Sequence, residues 1–157
     1  MSDLIEGIFY FVADAYFERF NDPRLMPNKG VGHKRPCFYA FLDKKTGLYW
    51  MIPISSKVEK YRNIAAGKIQ RYGYCNTIVF GEVLGQERAF LIQNMFPVTA
   101  DYIDSQYIDS RSGNPVRVAN ALSSLVMRNA HTVLTRQRYG GKLIFPDVLE
   151  IERQLLM

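Results

Sequence analysis

The sequence predicts an α+β fold, rich in antiparallel strand with helices inserted between the hairpins. Two pairs of β-branched and aromatic runs are each joined by a short polar turn. Other stretches carry apolar residues at helical spacing between capping residues and breakers. The length of 157 residues suits one core better than two marginal ones, so a single domain over residues 1–157 is expected.

Taken in order, residues 7–12 (GIFYFV) read as a first strand, and Ala13 to Phe20 as a short helix stopped by Asn21-Asp22-Pro23. Residues 21–33 (NDPRLMPNKGVGH) lack periodicity and predict a flexible surface flap. Pro36 to Leu42 and Leu48 to Ile54 form a hairpin about the turn Asp43 to Gly47. Lys57 to Arg71 follows with helical spacing, with Ser56 as its N-cap and Glu59 as the acid of a capping box. A second hairpin is read from Tyr74–Val83 and Arg88–Asn94 through Leu84 to Glu87, while Thr99 to Asp109 suits either helix or strand. Pro115 near a first helical position opens a helix running to about Tyr139, where Gly140-Gly141 stop it. Lys142 to Phe145 then leads through Pro146-Asp147 into a final amphipathic helix.

On the long helix, steps of about 100° gather Arg117, Ser124, Arg128, His131, Thr135 and Arg138 into a polar strip. Most of the remaining circumference is apolar, so the helix is expected to be largely buried. The strip reads either as a solvated face or as a basic contact for RNA.

Apolar residues make up 48% and charged residues 22% of the chain, which excludes a disordered chain. The 20 basic residues exceed the 15 acidic ones by +5, and the isoelectric point near 9.2 points to a polyanionic partner, with nucleic acid foremost. The two cysteines, Cys37 and Cys75, form no CxxC or zinc pattern, so a reducing compartment is expected. No apolar run has the roughly 18 residues of a membrane span, and Met1 to Glu6 lacks the basic start of a secretion signal. A cytoplasmic protein with no membrane contact is expected.

GxxxxGK[ST], GxGxxG after a strand, HExxH and GxSxG are all missing, and His33 and His131 are too few for common histidine metal sites. Asp101, Asp104 and Asp109 are loosely grouped, but no firmly placed strand presents them together for two-metal chemistry. Metal-free chemistry without a cofactor is therefore expected. The first hairpin offers it: His33-Lys34-Arg35 begins one strand, Ser55-Ser56-Lys57 ends the other, and antiparallel pairing makes them neighbours. A helix starting at Lys57 adds backbone donors and its positive dipole end. Cations to stabilise a phosphorane, with a hydroxyl to position a 2′-OH, suit metal-free RNA cleavage. The same residues would equally serve as a helix cap and solvated lysines.

Three stretches, IFYFVADAYFERFNDPRL (8–25), HKRPCFYAFLD (33–43) and IPISSKVEKY (52–61), resemble the toxins of type III toxin–antitoxin systems, the ToxN, AbiQ, CptN and TenpN group. The resemblance covers about residues 8–62; beyond them it rests on the order of elements. It implies a compact twisted antiparallel β-barrel related to the Kid/MazF fold and elaborated with helices. It further implies a metal-independent endoribonuclease that cuts single-stranded cellular mRNA, leaving 2′,3′-cyclic phosphate ends. A small repeat-derived RNA pseudoknot, processed by the toxin, would act as antitoxin within a closed protein–RNA assembly.

By the same resemblance, the hydroxyl pair after a proline falls on Ser55 and Ser56, after Pro53. The nearby lysine falls on Lys57, with Lys60 competing, because some members place a proline between serine and lysine. The cation at the preceding strand's start matches Lys34 or Arg35, and the N-terminal active-site tyrosine matches Tyr16. His33 has no counterpart and reads as an RNA contact, as do Lys60, Arg117, Arg128, His131 and Arg138. A non-catalytic RNA-binding domain would use the same surface. A DNA-binding regulator is disfavoured by the missing helix-turn-helix pattern.

Overall fold

The structure, a computed structural model, describes residues 4–28 and 34–157. In chain order it contains β1 (Phe9–Val12), α1 (Asp14–Arg19), β2 (Pro36–Asp43), β3 (Leu48–Ser55), α2 (Val58–Tyr72), β4 (Ile78–Val83), β5 (Gln86–Leu91), β6 (Phe96–Val98), β7 (Ile103–Gln106), α3 (Asn120–Arg138) and α4 (Val148–Leu155). The strands form one seven-stranded sheet in the order β4-β5-β3-β2-β1-β7, with β6 joined to β3. Every pairing is antiparallel.

β3 is the hub because nearly all of it is apolar and buried. It pairs with β2 from Leu48 to Pro53; elsewhere Tyr49 to Met51 meet β6, and Ile54 and Ser55 meet β5. Rings from three strands pack together, Phe9 lying 5.3 Å from Phe38 and Phe38 lying 5.6 Å from Phe90 between centroids. Such edge-on contacts add to the burial of large apolar area that drives folding.

The expected barrel is corrected to an open sheet: β4 and β7 are its ends and do not pair with each other. The sheet is nevertheless curled, since Val83 at the end of β4 and Tyr107 just past β7 line one cavity. The register shifts in β1 after Phe11 and in β2 after Tyr39 are irregularities of the kind that bend strands and raise their twist.

The first hairpin lies where the sequence places it. In the second, β5 starts at Gln86, two residues before the predicted start, because the turn needs only Leu84 and Gly85, both with positive φ, 53° and 79°. β6 was unpredicted: three residues containing Pro97 are too few for alternation to be legible. The ambiguous stretch after Thr99 resolves into a single 3-10 turn, Ala100–Tyr102, followed by β7.

The helix ends differ more. Ser56 does not cap α2; Lys57 occupies the N-cap position without a side-chain cap, and Ser55 Oγ accepts the Lys57 N–H at 3.1 Å. The predicted capping box is therefore absent, while Gly73 closes the helix in the left-handed region, φ 85°. α3 starts at Asn120 rather than beside Pro115, because Pro115 and Arg117 are held in bridges to Ile108 and Ile8. It is less buried than expected, with only Val126, Ala130, Val133 and Leu134 fully covered. Gly81 on β4 admits it closely: a Cβ there would lie 2.1 Å from Leu122 Cδ2.

The described part of the predicted flap, residues 21–28, is pinned rather than loose. Leu25 is buried, Asn28 Nδ2 donates to Val12 O at 2.9 Å, and Asn94 Nδ2 donates to Arg24 O at 3.0 Å. Among the described residues, no helix is long and apolar enough to cross a membrane.

Candidate active site

A cavity of about 300 Å³ opens where the start of β2 meets the end of β3. The antiparallel register, with Cys37 opposite Pro53, brings Arg35 beside the end of β3, where its guanidinium donates to Ile54 O at 3.2 Å. Arg35 Nε also donates to Pro27 O at 3.5 Å, and Asn28 Oδ1 accepts the backbone N–H of Arg35 at 3.0 Å. Lys34, Arg35, Ser55 and Ser56 all line the cavity, which is the convergence read from the first hairpin. Ser55 is only 7% exposed and its oxygen is engaged by the Lys57 amide, whereas Ser56 is exposed. Lys34 forms an ion pair with Asp104 of β7.

Further lining residues come from elements the sequence did not connect to this hairpin. Pairing of Ser55 with Ala89 sets Arg88 of β5 at the cavity, with Gln86 and Leu84 on the same side and Tyr107 from beyond β7. Among the described residues the lining therefore holds three cations, Lys34, Arg35 and Arg88, and no carboxylate. Arg88 follows directly from a hairpin visible in the sequence, but its role depends on β5 pairing with β3, which no local pattern encodes.

Other predicted site residues lie elsewhere. Tyr16 is fully buried, its hydroxyl donating to Pro97 O at 2.8 Å, and burial raises its pKa well above the ordinary value. It cannot reach a ribose at this cavity, and Tyr107 is the tyrosine that lines it. Lys57 and Lys60 are exposed on α2 and do not line the cavity; Lys60 Nζ lies 5.3 Å from the Tyr61 ring centroid. His33 falls outside the described residues.

The basic strip on α3 is also revised. Arg117 precedes the helix, and Arg138 donates to both oxygens of Glu152 at 2.8 and 2.7 Å and to Asp43 Oδ2 at 3.0 Å. The His131 ring stacks on Phe41 with centroids 3.9 Å apart. Arg128 remains exposed. Asp104 pairs with Lys34, and among the described residues no group of three His, Cys, Asp or Glu side chains is placed to hold a metal ion.

The fold matches that of solved structures from type III toxin–antitoxin systems. AbiQ, a lactococcal anti-phage endoribonuclease of such a system, superposes with a TM-score of 0.70 at 14% identity, covering 94% of both chains. A structure from work on selective inhibition of a bacterial type III toxin by a non-coding RNA pseudoknot matches with a TM-score of 0.67 at 16% identity, covering 96% of both chains. A third, from a bacterial antiviral system regulated by a processed non-coding RNA, gives 0.65 at 13% identity, covering 94% of this chain and 98% of the other. No family model matches the sequence, and no curated protein matches it. The likeness is one of fold over almost the whole chain.

Proposed function

We propose that the protein is an endoribonuclease toxin of a type III toxin–antitoxin system, cutting single-stranded cellular RNA without a metal and leaving 2′,3′-cyclic phosphate ends. The observation that carries this reading is the cavity lined by Lys34, Arg35, Ser56 and Arg88, with no acidic residue among the described residues that line it, on a fold shared with such toxins. In the reaction, the 2′-oxygen bonds to phosphorus, the bond from phosphorus to the 5′-oxygen breaks, the 2′ proton leaves to solvent, and the 5′-oxygen gains a proton. Ser56 positions the 2′-OH, and Ser55 supports the backbone turn at Lys57. Arg35 and Arg88 stabilise the phosphorane, helped by the first-turn amides of α2, which no side chain caps. Lys34 exchanges Asp104 for phosphate and is the source of the proton for the leaving oxygen. A small RNA pseudoknot would block this cavity, with Lys60 and Arg128 among its contacts.

Incubating the protein with long single-stranded RNA in EDTA is the test. Cuts with cyclic phosphate ends are expected, and Ser56→Ala should slow them by about 100-fold or more. Because Ser56 is exposed and caps nothing, the variant should stay within about 0.5 kcal/mol of wild-type stability. RNA retained but never cut would make the chain a binding domain instead.

A further inference from the structure

Leu84 is the one non-glycine among the described residues with positive φ, 53°. With Gly85 at 79° it forms a two-residue hairpin turn whose first position favours Asn, Asp or Gly, since a bulky side chain there is strained. Folding covers only half of this apolar side chain: Leu84 is 50% exposed. Its side chain instead stands on the wall of the cationic cavity. Two residues on, Gln86 lines the same wall, and Arg88 donates to its Oε1 at 2.8 Å while also donating to Glu87 O at 2.9 Å. With Oε1 held in this way, the amide orientation is set, and the two Nε2 hydrogens have no partner among the described residues. A solvent-accessible donor pair beside an exposed apolar side chain, both on the wall of a cavity lined by Lys34, Arg35 and Arg88, suits a flat base carried on a phosphate backbone.

We propose that the β4–β5 turn determines cleavage specificity: Leu84 packs on the face of the base flanking the scissile phosphate, and Gln86, oriented by Arg88, donates to an acceptor on that base's edge. Unstacked bases of single-stranded RNA are read in this way, by face contact and edge hydrogen bonds. The inference rests on the nuclease reading above and deepens it.

The test is cleavage of a short RNA pool randomised around one position, scored as the ratio of cutting between the preferred base and the next, which is independent of overall rate. Leu84→Asn and Gln86→Leu should each lower this ratio by about fivefold or more, the range expected when a base contact is lost. Leu84→Asn supplies a residue that the turn favours, so its melting temperature should equal or exceed that of wild type while its selectivity falls. Where a variant cuts too slowly to score, the same ratio is read from competitive binding of the pool. Variants that keep the wild-type preference overturn this inference alone; a wild-type chain that cuts none of the pool overturns the nuclease reading as well.

Discussion

Tyr16 donates its hydroxyl to Pro97 O inside a shell of rings from Phe17, Phe20, Phe96 and Tyr102, which makes it a core residue with a satisfied polar atom. Tyr16→Phe should therefore cost about 1–2 kcal/mol, through the carbonyl left unpaired, while RNA cleavage by the folded variant stays near wild type. A large loss of cleavage at full stability would return Tyr16 to the chemistry. Cys37 makes a second residue-scale case. Burial pushes its thiol from 9.0 up to about 12, so between those values the folded chain keeps a proton that the unfolded chain has lost. Its stabilising contribution is full below the unfolded value and is lost as pH rises through that window. Urea unfolding at about pH 8 and about pH 10 should show lower stability at the higher pH, and a thiol reagent should label half-buried Cys75 well before Cys37.

Elements meet through a small number of polar clamps. Arg138 near the end of α3 joins Glu152 of α4 to Asp43 at the end of β2, with its side chain 34% exposed and those of Asp43 and Glu152 at 16% and 12%. Hydrogen bonding to Glu152 raises the Arg138 pKa, so the guanidinium stays charged and its charge is balanced locally. Arg138→Ala should lower stability by roughly 1–3 kcal/mol, after allowance for solvent screening, because Glu152 loses its partner. Unchanged chemical denaturation would show the clamp to be idle. The same geometry explains why periodicity misjudged this strip: it placed Arg138 on a polar face, but could not show that α4 and the hairpin turn face it there.

Across the whole molecule, the cavity gathers cations from the start of β2 and from β5, separated by β3 in the sheet and by more than fifty positions in the chain. If both reach one RNA backbone, Lys34→Gln and Arg88→Gln should each flatten the log–log salt dependence of RNA binding by about 0.7, the value for one contact to a single strand. An unchanged slope for Arg88→Gln would separate β5 from the RNA path.

The local sequence was sufficient for features set by neighbouring residues. The first hairpin and the meeting of Lys34-Arg35 with Ser55-Ser56 followed from alternation, turn residues and antiparallel pairing alone. So did α2, whose apolar spacing is local, although its first turn was misread because Ser55 rather than Ser56 engages the Lys57 amide, and its stop at Gly73 was not read. Only the tertiary structure decided that β5 pairs with the end of β3, that the sheet curls without closing, and that Tyr107 rather than Tyr16 faces the cavity. Strand order and curl arise from packing between distant aromatic faces such as Phe9, Phe38 and Phe90, and the free energy of those contacts belongs to pairs of residues that no local window contains.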